Sequence, residues 1–373
     1  MTSSYDPFAR GTLPVGVRSE TWTDSTRDRP LPVEIWYPAA AEYAGADLDP
    51  ARQDTYPAVW IAGDLDPANP PRIPQAAVRD AVPAALPGQL VLFAHGYAGH
   101  RREATYLCTH LASHGYVVVS ADHLGFTSPD VDAMMAGDEP VDMAANRHRM
   151  GVDRFGDVAF LVAEATHRGY ANQGPVGVVG ISLGGFTALI APAAEPRVTS
   201  IVPLCPAGGR APIYPDSGGL RQLLDLDWSP AVSCLHGVAA RDSWLPLYGQ
   251  LDTFSQLPGP SRLVILQDAD HNHFCDGIDV GHAWFRDLTM ANAEMFGTEE
   301  TDWVGIARTI PPFDDLVDPE ATYALWRGVT VAHFDASLRG SSDATELLSD
   351  RLTEAAGELG ARVLTLARNQ PAR

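Results

Sequence analysis

Runs of consecutive apolar residues recur along the chain, and between them apolar positions fall three and four residues apart. The first pattern suits a strand buried on both faces; the second suits a helix with one buried face. Gln89–Ala94, Tyr116–Asp122, Pro175–Val179, Ser200–Cys205, Ala231–Gly237 and Arg262–Leu266 read as such strands. Ala104, Leu107, Cys108, Leu111 and Ala112 mark a helix with Gly115 at its C′ position, and Phe155, Val158, Ala159 and Val162 mark the next. A third runs from Phe186 to Pro192, a fourth from Tyr323 to Leu338, and residues 342–367 hold one more. Gly16–Thr23 and Leu31–Tyr37 read as strands. In the second, Val33, Ile35 and Tyr37 alternate with Glu34 and Trp36, as an antiparallel strand near a sheet edge would. Buried strands alternating with helices predict an α/β fold with a mostly parallel central sheet covered on both faces.

The segments between are less regular. Residues 1–12 read as a loose arm, 123–149 as a long loop, and 206–230 as a Gly/Pro-rich loop with one helical turn near Leu223. Residues 39–88, rich in Pro, Ala and Asp, read as an irregular insertion. Residues 277–320, with Trp284, Phe285, Phe296 and Trp303, read as a second insertion, either a lid with an acyl pocket or packing over a sheet edge. The expectation is one domain over 1–373 with these two insertions.

Composition narrows the function. Of 373 residues, 45% are hydrophobic, and the net charge is -21 with every one of the 26 basic residues an arginine. That charge disfavours nucleic acid and anionic membrane surfaces as partners. Cys108, Cys205, Cys234 and Cys275 lie far apart with no C-x-x-C pair, which favours a reducing compartment. Met1–Asp6 has neither a basic n-region nor an apolar h-region, so no signal peptide and no transmembrane span are expected, and a cytoplasmic protein is.

Polar clusters sit at the predicted strand ends, where a parallel sheet presents catalytic groups. Gly180-Ile181-Ser182-Leu183-Gly184-Gly185 lies between a strand and a helix, which turns a bare G-x-S-x-G match into a nucleophile elbow. A serine hydroxyl needs a base, and the base an orienting acid. In this context the acid and the histidine follow the serine in that order, and Asp242 and His271 each follow a strand of their own. The predicted roles are Ser182 as nucleophile, His271 as base and then acid, and Asp242 as the group fixing the imidazole tautomer. The backbone N–H groups of Leu183 and Tyr97 are the expected oxyanion donors. Tyr97, Trp244 and Trp284 are candidates for the substrate pocket. Other readings stay open: Ser182 as a plain helix cap, Asp227, Asp268 or Asp270 as the acid, and His273 as the base. His95 reads as support for the oxyanion loop. In His271-Asn272-His273-Phe274-Cys275-Asp276 the aspartate stands one place too late for the H-x-H-x-D-H metal motif, and Gly177–Gly180 is not a dinucleotide loop, so no metal and no cofactor are expected.

The elbow, the loop His95-Gly96-Tyr97-Ala98-Gly99 and the late histidine resemble the α/β-hydrolase superfamily. More narrowly, Val15–Arg18 with Arg27–Pro38 is similar to the N-terminal arm of bacterial proteins related to platelet-activating-factor acetylhydrolase and dienelactone hydrolase. His271, Phe274 and Asp276 match the spacing around that group's catalytic histidine. The resemblance spans most of residues 13–276 and the helix near 330–338. It implies an α/β-hydrolase fold, Ser182, Asp242 and His271 as triad, and Tyr97 and Leu183 as oxyanion donors. Dienelactone hydrolases proper use a cysteine nucleophile; the serine here favours the esterase side. Gly237 to Asp242 is slightly longer than the usual spacing of that loop. Relatives hydrolyse short acyl esters, acetylated phospholipids, lactones and polyesters. The expected activity is hydrolysis of a small-molecule ester with a short-to-medium acyl chain through an acyl-enzyme. An amidase or peptidase or a polyester or lactone hydrolase on the same triad, or a non-catalytic binder on the same scaffold, are the alternatives.

Overall fold

The computed structural model describes residues 5–58, 69–135, 143–213, 218–296 and 301–368. Its strands are β1 (Val15–Asp24), β2 (Arg29–Pro38), β3 (Asp54–Pro57), β4 (Arg72–Gln75), β5 (Val78–Arg79), β6 (Gln89–Ala94), β7 (Tyr116–Ala121), β8 (Val176–Ile181), β9 (Val198–Leu204), β10 (Ser233–Ala239), β11 (Ser261–Leu266) and β12 (Val363–Arg368). Ten of them form one sheet in the order β12-β11-β10-β9-β8-β6-β7-β2-β1-β5, and β3 and β4 pair separately. From β11 to β7 every neighbour is parallel; β12, β2 and β1 join antiparallel.

Helices cover both faces: α1 (Thr105–Ser113), α2 (Ser128–Met135), α3 (Met143–His167), α4 (Leu183–Ala194), α5 (Gly218–Gln222), α6 (Leu247–Gln256), α7 (Ile278–Phe296), α8 (Trp303–Thr309), α9 (Pro319–Arg339), α10 (Ser342–Glu346) and α11 (Leu352–Glu358). Successive residues of a strand point to opposite faces, so one apolar run feeds two cores. In β6, Val91 and Phe93 pack with Leu107 and Leu111 of α1 and Trp326 of α9, whereas Leu90 and Leu92 pack with Leu161 and Val162 of α3 and Leu189 of α4. This is why the strand sequences are continuous in hydrophobicity.

The predicted α/β sheet is the one observed, and several segments differ from expectation. Residues 5–11 are not a loose arm. The Tyr5 hydroxyl donates to Asp335, Gly11 N–H donates to the Ser113 hydroxyl, and the Phe8 ring fills the space left by Gly328 on α9. The presumed loop 123–149 holds α2 and the start of α3. Asp130 caps that region by accepting Thr127 and Gly125 N–H groups. Residues 277–320 are largely the helices α7 and α8, and 39–88 carries three short strands. The helix over 186–192 extends to Ala194 and takes Pro192 into its last turns. At the C-terminus the helical stretch ends at Glu358, and Val363–Arg368 is an edge strand on β11. Leu364 and Leu366 on it are exposed, so its alternation carries no burial signal.

β2 has only β1 and β5 beyond it, yet both its faces are covered, and Glu34 is fully buried. Arg79 and Arg102 approach its carboxylate at 2.9 and 2.8 Å, and Arg101 at 3.6 Å. Such a charge is tolerated only while it is paired. Replacing Glu34 with Ala leaves the guanidinium groups without it. Because these arginines also reach solvent, the expected loss in urea-unfolding stability is about 2–4 kcal/mol, short of the full cost of an isolated buried ion.

Candidate active site

The strand order reverses between β6 and β8. The chain leaves β6 toward β7, returns to β8 beside β6, and then proceeds the other way through β9, β10 and β11. A crevice opens outside the C-terminal ends of the strands at such a point. The loop after β6 and the turn after β8 meet there.

Ser182 occupies that turn with φ 54° and ψ -114°, a conformation disfavoured for any side chain. Its N–H donates to Leu204 O and its carbonyl accepts Ala207 N–H, both at 2.9 Å, so β9 and the segment after it hold the strained residue. The Ser182 side chain makes no cap hydrogen bond to α4, which argues against the plain helix-cap reading. Glycine is required beside it: a Cβ on Gly184 would stand 1.8 Å from Ala94 O, and one on Gly180 2.2 Å from Gly184 O. The start of α4 thus lies directly on the end of β6.

Asp242 follows β10 and His271 follows β11. Arg241 N–H donates to Ala269 O at 2.9 Å and links the two loops. Asp242 Oδ1 accepts the N–H groups of Trp244 and Leu245 at 2.9 and 2.8 Å, leaving Oδ2 to face His271 Nδ1 at 2.7 Å. Burial disfavours the imidazolium, but the charge and hydrogen bond of Asp242 outweigh it, and the His271 pKa lies well above its ordinary value. With Nδ1 bonded to Asp242, Nε2 is the nitrogen left for chemistry. Phe285 of α7 stacks on the imidazole at 5.4 Å and 18°, and Trp244 lies 6.2 Å away. The buried Cys205 thiol lies in the same cluster: its sulfur and donor atoms of Asp242 and His271 are all within 4.8 Å of one another.

The competing assignments find other partners. Asp270 receives Nδ1 of His273 at 2.8 Å and Nδ1 of His282, so His273 and Asp270 pair with each other and with α7. Asp268 pairs with Arg362, and Asp227 is exposed. Asp276, whose spacing after His271 stood out in the sequence, accepts the N–H groups of Thr105 and Tyr106 and so anchors the start of α1.

Ser182 and His271 open onto one cavity of about 400 Å³. The expected pocket residues Tyr97, Trp244 and Trp284 all line it, and the Trp244 indole donates to Thr289 of α7. Trp303 stands behind Trp244, at 5.8 Å, rather than on the wall. The described residues of 123–149 supply none of the lining, while the insertion 39–88 contributes Tyr56 and Ile73. Sequence reasoning missed those two, the Cys205 contact, and two buried groups around the loop after β6, Glu103 and Arg154. None carries a motif; only Cys205, at a strand end, bore any signal.

His95 has the supporting place expected of it. Burial keeps the imidazole neutral, its Nδ1 lies 2.7 Å from Gly96 O, and its Nε2 accepts His123 N–H at 3.0 Å. The Nδ1–H tautomer satisfies both contacts. Gly96 and Tyr97 then line the cavity. Leu183 is the first residue of α4, where an N–H has no carbonyl a turn behind it.

The family described as serine aminopeptidase, S33, matches residues 85–227, which include the loop after β6 and the Ser182 turn. No curated protein matches the chain. Among solved structures, a ferulic acid esterase from Streptomyces cinnamoneus superimposes with a TM-score of 0.60 at 22% identity, covering 98% of this chain and 100% of its own. Among the described residues no helix is long and apolar enough to cross a membrane.

Two outcomes are expected. NMR titration of His271 gives a midpoint above 6.5, because the folded protein favours the charged ring, and Asp242→Asn brings that midpoint down. Gly184→Ala, with no room for its methyl group, yields a chain that loses several kcal/mol of stability in urea unfolding or fails to fold, on the order of the largest single-site effects.

Proposed function

We propose that this chain, which has the α/β-hydrolase fold, is a serine carboxylic-ester hydrolase. The observation that carries the reading is the 2.7 Å His271–Asp242 bond beside a serine held at positive φ on the wall of the same cavity. Ser182 Oγ attacks the ester carbonyl while His271 Nε2 takes its proton. The tetrahedral oxyanion is received by the N–H groups of Leu183 and Tyr97. His271 returns the proton to the leaving alcohol, and water activated by the same nitrogen releases the acid from the acyl-serine. Asp242 holds the ring throughout by its contact with Nδ1.

The cavity walls formed by Ile73, Tyr97, Val280, Trp284 and Phe285 suit an apolar acyl group of short-to-medium length. The ferulic acid ester named for the structural neighbour adds an aromatic acyl group to that class. The narrower kinship with platelet-activating-factor acetylhydrolase-like and dienelactone-hydrolase-like enzymes belongs to this proposal, as does a cytoplasmic location, which the four free cysteines support. An amidase or peptidase is the second reading, favoured by the name of the family that matches residues 85–227.

Hydrolysis of p-nitrophenyl esters from acetate to longer chains tests the proposal. Ser182→Ala is expected to lower kcat by at least about 10³-fold. Equal turnover by wild type and Ser182→Ala, or turnover of aminoacyl anilides with none of esters, overturns it. Trp284→Ala, which enlarges the cavity, is expected to move the preferred chain length upward; Trp303→Ala, one layer back, moves it less.

A further inference from the structure

Glu103 stands beside the candidate active site as a buried carboxyl group with no role in the triad. It lines the cavity, and its Oε2 accepts the Gly96 N–H at 2.7 Å. Its carbonyl accepts Asp276 N–H at 2.8 Å, so one residue links the loop after β6 to the loop that carries His271. The space around Gly96 is shared closely: a Cβ there would lie 3.4 Å from Glu103 Oε1 and 3.5 Å from Ser182 Cβ.

The peptide groups around Tyr97 are held from several sides. Gly96 O lies 2.7 Å from His95 Nδ1 and accepts Arg154 Nη2 at 3.4 Å; His95 O accepts Arg154 Nη1 at 2.8 Å. Ala98 N–H donates to Phe126 O at 2.9 Å. In a trans peptide, N–H and C=O point oppositely. Drawing Gly96 O toward Arg154 and His95 therefore turns the Tyr97 N–H away from them. The Gly96 N–H, one peptide earlier, is anchored by Glu103 alone among the contacts of that group.

We propose that Glu103 is a positioning residue of the reaction: by accepting the Gly96 N–H it fixes the loop that presents the Tyr97 N–H to the oxyanion. The inference rests on the serine-hydrolase reading. The charged and titratable groups around Glu103 are Arg154 of α3, His95 at the end of β6, His100 on its own turn, and His271, Cys275 and Asp276 after β11. Burial pushes the carboxyl up to about 7, against the Gly96 hydrogen bond and the charges of Arg154 and His271. As pH falls through that value the carboxylate takes a proton and loses its strength as an acceptor, so Glu103 and His271 both close the acid side of the profile.

The experiment compares full-length wild type, Ser182→Ala, Glu103→Ala and Glu103→Gln on one p-nitrophenyl ester across pH. Glu103→Ala is expected to lose about 10²-fold or more in kcat with KM changed less than about threefold, the mark of an interaction made only with the transition state. Glu103→Gln, whose amide oxygen still accepts the Gly96 N–H, is expected to recover most of that loss at alkaline pH. Its acid limb should fall with one ionisation where the wild type shows two. A folded Glu103→Ala with kcat within threefold of wild type, or a rise in KM in place of the kcat loss, overturns the proposal while leaving the esterase reading intact. Should Glu103→Ala not fold, an unchanged two-ionisation limb in Glu103→Gln overturns it. A wild type no more active than Ser182→Ala overturns the esterase reading, and this inference with it.

Discussion

The site depends on one close approach: α4 begins against the end of β6, with Gly184 where a Cβ would collide with the Ala94 carbonyl. That contact puts Ser182 beside Gly96 and Tyr97, so the turn after β8 and the loop after β6 share one wall of the cavity. It also forces Ser182 to positive φ, a strain of about 1–3 kcal/mol for a residue of this kind. β6, buried from Leu90 onward, and the fully buried β8, with helices packed on each face, hold the chain to it.

Around this approach the protein also buries charged groups. Arg154 is fully buried beneath the loop after β6, and burial draws its pKa down to about 9 while Asp157 and Glu103 hold it up. Asp157 in turn receives His123 Nδ1 at 2.7 Å and Arg29 at 2.8 and 2.9 Å, which keep it ionised despite its burial. The chain Arg29–Asp157–His123–His95–Gly96 therefore runs from β2 to the site through hydrogen bonds. Buried polar groups are costly unless each is satisfied, so a network of this kind confers one geometry on the loop. On the other side of the site, α7 is held by His282 on Asp270 and by Thr289 on Trp244, and it lays Phe285 over His271. The insertion that carries α7 is thus part of the cavity wall and of the environment of the imidazole.

The parallel strands, the Ser182 turn and the places of Asp242 and His271 just past their strands were legible because each is a local signal. An apolar run of six residues, a G-x-S-x-G between a strand and a helix, and a polar residue just past a strand end can all be read without knowing what packs against them. The segments misread are those whose structure comes from partners. Residues 5–11 look unstructured until Phe8 meets the groove at Gly328. β12 shows two exposed leucines and exists because β11 offers it an edge.

The sequence by itself determined the α/β layering and the positions where a nucleophile, a base and an acid could stand, because period and turn chemistry act over neighbouring residues. Only the tertiary structure decided which aspartate faces His271 and which faces His273, since Asp242, Asp268 and Asp270 are equivalent as letters and differ in the loop beside them. It likewise decided that Tyr56 and Ile73 of one insertion and Trp284 and Phe285 of the other share a cavity, and that Glu103 lies under Gly96. Those are contacts between residues far apart along the chain, and they arise when the strand ends converge at the point where the sheet order reverses.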